Sequence, residues 1–210
     1  PIIAENGTYV VRDGVDISSS TIDPNLTREV ITGVRQLRND GHDVGLVVAT
    51  KSIAYLERGD DPFVSHVATY YHSHRVVKDL SEHTDDVIKL SIYDFREASE
   101  ATYPTMQRTA PEHQVILATP NWVDIMNPGV NKGSAVEAVQ RDLGVTADQT
   151  AIFGDFLNDL EMMTMAKWSF AMANGHPNIV KASNYVAPPN TENGVITVLA
   201  ALLGTRVPTT

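Results

Sequence analysis

The chain has 210 residues, 42% of them hydrophobic, which is enough to bury one large core or two smaller ones. Its 16 Lys and Arg residues against 26 Asp and Glu residues give a formal net charge of −10 at pH 7, which argues against nucleic acid and anionic membrane surfaces as partners. The lack of cysteine excludes disulfides, thiolate metal sites and cysteine nucleophiles, and it fits a reducing compartment.

No stretch of the sequence predicts a membrane span or a signal peptide. The longest apolar stretches, near residues 44–49 and 195–203, are well below the ~20 residues that cross a bilayer. The N-terminus also lacks the pattern of a secretory signal. We therefore expect a cytoplasmic globular protein with no membrane partner and no nucleic-acid partner, and the sequence leaves its oligomeric state open.

Residues 1–120 predict an α+β unit with an open sheet. Residues 2–4 predict a short strand, and the turn around Asp13-Gly14 predicts a hairpin between residues 9–11 and 15–17. Asp23 before Pro24 predicts a helix start, and apolar residues at helical spacing continue to Gly41. The further elements expected here are strands at 44–49, 87–93 and 114–118 and helices at about 52–58, 62–80 and 96–110.

After Pro120 the pattern changes to a strict alternation of strand and helix. Such alternation is typical of a parallel sheet wrapped by helices, so the two parts of the chain are predicted to be different domains. The strands are expected at 122–126, 150–154, 168–172 and 185–187, and the helices at 132–143, 158–166, 177–182 and 192–203.

An acidic cluster follows one of these buried strands, in the segment Gly-Asp-Phe-Leu-Asn-Asp at residues 154–159. Ligands of such sheets bind beyond the carboxyl ends of the strands, where Asp155 is expected. If a helix begins near Phe156, Asp155 and Asp159 lie about one turn apart and face the same crevice. Carboxylate oxygens beside the Asn158 amide suit Mg²⁺. The alternative is that Asp155 caps the helix and its neighbours are solvated residues of the first turn.

Lys132 favours the ligand-binding interpretation. Asn131 is a predicted N-cap, which places Lys132 in the first helical turn, where the helix dipole disfavours a cation by ~0.3–1 kcal/mol. A phosphate would compensate, because the N–H groups at a helix start attract an anion and the ammonium adds a charge. The alternative is an exposed lysine with no role. A lysine and carboxylates on the ligand side of one sheet favour a site for phosphate and metal.

Several segments resemble motifs of one known family, the haloacid dehalogenase superfamily phosphatases of the Cof type, whose large α/β cap defines the IIB group. The resemblance covers nearly the whole chain and is strongest from Asn127 onward. The matching segments are Gly154–Met163, Phe170–Gly175, Asn193–Val195, the lysine motif Asn127–Gly133, and Ile3–Gly7, which is similar to the segment that leads into the family's cap.

The resemblance implies a partial Rossmann-like parallel sheet as the core, with an inserted α+β cap domain. It implies a core made of residues 1–7 and 121–210 and a substrate-selecting cap of residues 8–120. Such enzymes hydrolyse phosphate monoesters, often sugar phosphates, through an aspartyl-phosphate with Mg²⁺ bound. The implied partner is a small phosphorylated metabolite, and the cap would close over it.

The motif match also implies a role for each site residue. Asp155 would be a metal ligand, with Asp159 a second ligand or its support. Lys132 would hold the phosphoryl oxygens and the charge of the nucleophile, so that Lys132, Asp155 and Asp159 form the catalytic set. Asn158 would contact phosphate or a metal-bound water, and Asn174 would shape the loop beside the site.

One departure from the family pattern concerns the nucleophile. The family carries it in an Asp-x-Asp-Gly-Thr motif that precedes the Asn-Gly segment, and this sequence begins at that segment. Neither Asp13-Gly-Val-Asp16 in the hairpin turn nor Asp60-Asp61 before a helix substitutes for it. We therefore expect little activity from this chain alone. The alternatives are a non-catalytic protein that binds a phosphorylated ligand or a partner on the same fold, and a phosphomutase.

Overall fold

The computed structural model describes residues 1–205, in which the chain forms two compact units. Unit 1 consists of Pro1–Ser18 and the chain from Asn131 onward, and unit 2 consists of Ser19–Val130. These boundaries differ from the predicted ones, which assigned only residues 1–7 and 121–210 to the core. Residues 206–210 of that predicted core lie outside the described residues.

The strands are numbered β1 to β12 and the helices α1 to α6 in chain order. The strands in residues 1–205 are β1 (Ile2–Ala4), β2 (Tyr9–Arg12), β3 (Val15–Ser19), β4 (Val44–Thr50), β5 (Ala54–Leu56), β6 (His74–Val76), β7 (Val87–Asp94), β8 (Gln114–Leu117), β9 (Trp122–Met126), β10 (Ala151–Gly154), β11 (Trp168–Met172) and β12 (Tyr185–Ala187). The helices there are α1 (Pro24–Asn39), α2 (Asp61–Tyr70), α3 (Thr102–Thr109), α4 (Lys132–Leu143), α5 (Pro177–Ala182) and α6 (Gly194–Leu203). Within this part of the chain, no helix combines the length and the apolar character needed to cross a membrane.

Unit 1 contains the parallel sheet that the alternating pattern predicts. Strand β11 lies between β10 and β12 and pairs in parallel with both. Ile152 and Ala171 face a cluster that includes Ile179 of α5, and Phe170 faces a second cluster that includes Val195 of α6. Each face of the sheet is therefore covered by helix, because successive residues of a strand point to opposite faces.

Unit 1 also contains a small separate sheet of β1, β2 and β3, in that order. Strands β2 and β3 form the predicted hairpin. Asp13 and Gly14 between them both have positive φ, 52° and 79°, as a two-residue type I′ turn requires. The prediction assigned this hairpin to the cap, whereas its residues up to Ser18 belong to unit 1.

Unit 2 is built on a six-stranded sheet in the order β6-β5-β4-β7-β9-β8. All neighbouring strands are antiparallel except β5 and β6. Helices α1 and α3 share one apolar cluster with one face of the sheet, and α2 contributes Phe63 and Val67 to a cluster on the other face. The predicted α+β unit with an open sheet is therefore observed.

Strand β9 was predicted at the right residues but in the wrong sheet. It pairs antiparallel with both β7 and β8, so it belongs to unit 2 and not to the parallel sheet. The helix α4 that follows it makes the local sequence look like one strand–helix step of a parallel sheet. Strand pairing depends on distant residues, and the alternation of elements along the chain does not reveal it.

The helix predicted at 52–58 is wrong, and the helices predicted at 62–80 and 96–110 are longer than the observed α2 and α3. Residues 54–56 and 74–76 are the short strands β5 and β6, and only Asp61–Tyr70 is helical between them. Thr50 exchanges backbone and side-chain hydrogen bonds with Ile53, so the chain turns back on β4 there. The helix predicted at 96–110 is shorter, because Asp94 accepts hydrogen bonds from the Arg96 N–H and the Thr102 hydroxyl and holds the intervening loop.

A buried ion pair lies on the sheet of unit 2. Lys89 is 8% exposed and Asp124 is 7% exposed. The Lys89 ammonium lies 3.6 Å from one Asp124 carboxylate oxygen, and Ser91, directly opposite in the strand register, donates a hydrogen bond of 2.6 Å to the other. A buried pair of this kind is costly to break, because the remaining charge loses this counter-charge in a buried place.

We expect Asp124→Ala to lower the free energy of unfolding by about 3–5 kcal/mol, because it removes the carboxylate beside a buried ammonium. The double variant Lys89→Met/Asp124→Leu removes both charges and should lose less. Urea titration followed by tryptophan fluorescence measures both. Equal losses in the single and double variants would contradict an electrostatic origin of the effect.

Candidate functional site

Helix α4 begins at Lys132 because Asn131 caps it. The Asn131 side chain accepts a hydrogen bond of 2.9 Å from the Ser134 N–H, and the Ser134 hydroxyl accepts one of 3.2 Å from the Asn131 N–H. This reciprocal capping box fixes the first turn of the helix. The predicted position of Lys132 in that turn is therefore observed.

The Lys132 ammonium is paired with Asp159. Its Nζ lies 2.5 Å from Asp159 Oδ1, and the carboxylate side chain is only 7% exposed, against 29% for the lysine. Asp159 thus supplies the negative charge that Lys132 requires at a helix start. An ammonium carries further N–H donors, and the partial exposure of Lys132 leaves room for a second anion at its tip.

The other oxygen of Asp159 holds the backbone of the acidic loop. Asp159 Oδ2 accepts hydrogen bonds from the N–H groups of Asp155, at 3.0 Å, and Phe156, at 3.4 Å. One carboxylate therefore connects Lys132 at the start of α4 to the loop after β10. The sequence predicted that these residues meet, and the structure brings them together through Asp159.

The loop itself is not the helix that the sequence predicts at 158–166. It consists of two short 3-10 turns, Leu157–Asp159 and Met162–Thr164. Asp159 satisfies the N–H groups of Asp155 and Phe156 with its side chain. Local side-chain acceptors of this kind compete with regular helical hydrogen bonding.

Gly154, the last residue of β10, leaves the space that the Asp159 side chain occupies. A Cβ atom at this position would lie 2.9 Å from Asp159 Cβ and 2.9 Å from Met163 Sδ. Protein interiors have no spare room to absorb such contacts. The glycine is therefore required by the close approach of the loop to the end of the strand.

Asp155 is held by two further segments of unit 1. Its carbonyl oxygen accepts a hydrogen bond of 2.7 Å from the His176 N–H, in the loop after β11. Its carboxylate Oδ2 accepts one of 3.2 Å from the side-chain amide of Asn190. No side chain within residues 1–205 donates a hydrogen bond to the other oxygen, Oδ1, and the residue is half-buried.

Asn190 is a functional candidate that sequence reasoning missed. It bonds to Asn174, which donates a hydrogen bond of 2.9 Å to Asn190 Oδ1. The prediction that Asn174 lies beside the site agrees with this position, because Asn190 links Asn174 to Asp155. Its bond to Asp155 joins residues 35 positions apart, and the only nearby signal was its place just before the matching segment Asn193–Val195.

Asn158 lies on the exposed side of the same loop. Its side-chain amide is 3.5 Å from Asn6 Oδ1, at the outer limit of a hydrogen bond. Asn6, with φ 55°, belongs to the turn after β1. The N-terminal segment of unit 1 therefore lies next to the acidic loop.

The residues present fit one carboxylate ligand of a divalent metal. Asp155 offers an oxygen to which no side chain of residues 1–205 donates, whereas both oxygens of Asp159 already accept hydrogen bonds. Mg²⁺ is commonly bound by one or two carboxylates with waters and phosphate oxygens, which a single half-exposed aspartate can begin to satisfy. Residues 1–205 contain no group of three or more His, Asp or Glu side chains placed to hold a metal.

We expect Gly154→Ala to destabilise unit 1 by about 1–3 kcal/mol, the usual cost of overpacking. The added methyl group would push against Asp159 and Met163. Gly154→Val should cost more, because it adds more atoms to the same space. Thermal unfolding of the two variants measures the effect, and a melting temperature of Gly154→Ala equal to that of the wild type would show that the loop has room there.

Known proteins share both the sequence pattern and the fold. The profile of the family described as haloacid dehalogenase-like hydrolase matches residues 1–199. An Escherichia coli K12 protein named 5-amino-6-(5-phospho-D-ribitylamino)uracil phosphatase is 28% identical over an alignment of 212 positions, which covers 98% of this chain and 75% of that protein. The chain therefore spans about three quarters of that relative.

Solved structures of the family have the same fold. A haloacid dehalogenase-like hydrolase from Bacteroides thetaiotaomicron is similar with a TM-score of 0.82 at 20% identity, over 94% of this chain and 74% of that one. A subclass IIB sugar phosphatase of the superfamily is similar with a TM-score of 0.71 at 19% identity, over 95% of this chain and 74% of that one. The predicted fold class and the family resemblance are thus confirmed, and because the profile covers residues 1–199, the chain belongs to the haloacid dehalogenase-like hydrolases.

Proposed function

We propose that this protein is the cap and most of the core of a Mg²⁺-dependent phosphatase that hydrolyses small phosphorylated metabolites. The observation that carries the proposal is the shared carboxylate of Asp159, which bonds to Lys132 on one oxygen and to the backbone of Asp155 on the other. A cation and a metal-binding carboxylate on either side of one anchor are suited to an esterified phosphate. Family membership supplies the reaction class.

In this proposal Lys132 binds the phosphoryl group. The ammonium is partly exposed, and its position is fixed by Asp159 before any ligand arrives. Donors that are already in place when charge develops on a reacting group need no reorganisation, which is the main source of electrostatic catalysis. The exposed Asn158 amide, on the same loop, is a second candidate contact for the phosphate or for a water beside it.

Asp155 is the proposed metal ligand, and Asp159 is its support. Asp159 is less suited to direct ligation, because both of its oxygens already accept hydrogen bonds. When bound, Mg²⁺ would neutralise charge on the phosphoryl oxygens and help to orient the ester. Asp159 keeps the Asp155 backbone in place and holds the Lys132 ammonium on its other oxygen.

The remaining ligands and the nucleophile are assigned to a segment outside the 210-residue sequence, as the family resemblance implies. Two observations support this assignment. The described residues hold no group of three potential metal ligands, and the chain spans 75% of its E. coli relative. A cytoplasmic location is part of the same proposal, and the lack of cysteine supports it.

We propose a phosphorylated sugar or sugar alcohol as the substrate class. The E. coli relative is named for a phosphoribitylamino compound, and the subclass IIB relative is named as a sugar phosphatase. Both leaving groups are polyhydroxylated. The substrate class can be tested directly with a panel that contrasts sugar and sugar-alcohol phosphates with aromatic phosphate esters and nucleotides.

A non-catalytic protein that binds a phosphorylated ligand is the second candidate. Binding alone would need only the features of residues 1–205, the partly exposed Lys132 ammonium and the Asp155 carboxylate, and no nucleophile. The coding sequence upstream of Pro1 separates the two: an in-frame Asp-x-Asp-Gly-Thr supports the hydrolase, and a stop codon supports the binding protein. Ligand binding without turnover would be the solution counterpart of the second result.

We expect Lys132→Met, in the protein as its gene encodes it, to lower kcat/KM for phosphate esters by about 10²–10³-fold, as loss of one preorganised donor does. Asp155→Asn should abolish the Mg²⁺ dependence of phosphate release. Lys181→Met is the matched control, because Lys181 is an exposed lysine at the end of α5. Phosphate release with and without Mg²⁺ measures all three, and a Lys132→Met enzyme as active as the control would contradict the proposed site.

A further inference from the structure

We propose that Asn190 is a positioning residue that orients the Asp155 carboxylate toward a metal, and that Asn174 sets the direction of Asn190. The inference rests on the proposed role of Asp155 as a metal ligand. It extends that role to two asparagines that come from different segments, the loop after β11 and the loop after β12.

The bond from Asn190 decides which oxygen of Asp155 is available. Asn190 Nδ2 donates to Asp155 Oδ2 at 3.2 Å. The Asp155 backbone is already fixed at its N–H by Asp159 and at its carbonyl by His176. With the backbone and one carboxylate oxygen held, the side chain loses its rotational freedom, and Oδ1 is presented in one direction.

The pair of asparagines can adopt only one hydrogen-bonding direction. The Asn190 backbone N–H, which can only donate, points at Asn174 Oδ1 at 3.2 Å. The Asn174 amide nitrogen is therefore turned toward Asn190 Oδ1, at 2.9 Å, and the Asn190 amide nitrogen is turned toward Asp155. The reverse orientation of Asn190 would place two acceptors, an amide oxygen and a carboxylate oxygen, against each other.

The motif around Gly194 creates the turn that presents Asn190. Asn190 opens the short 3-10 turn Asn190–Glu192, and Asn193 after it has a φ of 55°. The Gly194 N–H then bonds back to the Pro189 carbonyl, and a Cβ atom at Gly194 would lie 1.9 Å from the Pro188 oxygen. Only glycine permits so close an approach. The motif thus has a structural task in holding Asn190 beside Asp155.

Residues that orient a metal ligand typically change metal affinity by about 10–100-fold when removed. Asn174 and Asn190 are both exposed, so water competes for their bonds and the lower part of that range applies. The two asparagines act in series on one oxygen. Their effects should therefore be coupled and not additive.

The test measures Mn²⁺ binding by electron paramagnetic resonance, without substrate, on the protein as its gene encodes it. We expect Asn190→Ala and Asn174→Ala each to weaken Mn²⁺ binding by about 10-fold, and the double variant to weaken it little further. Asn178→Ala is the matched control, because Asn178 is an exposed asparagine of the same unit. In the Asn190→Ala and Asn174→Ala variants, the Mg²⁺ concentration that half-activates turnover should rise by the same factor, because only metal binding is weakened. The value of kcat at saturating Mg²⁺ should stay unchanged.

The outcomes separate this inference from the proposed function. If Asp155→Asn loses Mn²⁺ but Asn190→Ala binds it as tightly as the control does, the positioning role is wrong and the metal site stands. If Asp155→Asn binds Mn²⁺ as the wild type does, the metal site is wrong and the positioning role falls with it. A lowered melting temperature of Asn190→Ala with unchanged Mn²⁺ affinity would show a purely structural role and also overturn the inference.

Discussion

The candidate site depends on the hydrogen bonds that the Asp159 carboxylate accepts. This carboxylate is buried, and its two oxygens accept from an ammonium at the start of α4 and from backbone N–H groups after β10. Both partners depend on it, because the helix dipole disfavours Lys132 at a helix start and the loop uses the Asp159 side chain as the acceptor for the N–H groups of Asp155 and Phe156. The carboxylate satisfies both constraints together.

This arrangement separates the tasks of the two aspartates. Both carboxylate oxygens of Asp159 accept hydrogen bonds, so Asp159 serves as the anchor. Asp155 is half-buried, and no side chain of residues 1–205 donates to one of its carboxylate oxygens. Three loops converge on Asp155, from the ends of β10, β11 and β12. A parallel sheet brings such loops to one edge, which is why ligand sites of α/β proteins form there.

Much of the site could be predicted from local chemistry. Asn131 caps α4 as its sequence position indicates, and Gly154-Asp155 follows a buried strand. The sequence could not reveal that Asp159 points inward to Lys132. A helix and a pair of 3-10 turns would both place the carboxylates of Asp155 and Asp159 about one turn apart. Asn190 was missed because a side-chain bond across 35 positions leaves no local pattern.

The errors in the predicted fold have the same origin. Strand β9 was predicted in the parallel sheet, and the short strands β5 and β6 were predicted as helix, because their identity is set by pairing with distant strands. Strands of three residues contain too little alternation to be distinguished from a helical segment. Long elements with caps, such as α1, were predicted within about two residues of their ends, which is the usual uncertainty of helix boundaries.

The most direct test of the central claim is a crystal structure of the protein as its gene encodes it, grown with Mn²⁺ and vanadate, in which anomalous scattering locates the metal. We expect a metal peak about 2.1 Å from an Asp155 carboxylate oxygen. We also expect the oxyanion to contact the Lys132 ammonium, and Asp159 to remain bonded to Lys132 and outside the metal shell. A metal bound away from Asp155, or an oxyanion that does not touch Lys132, would contradict it.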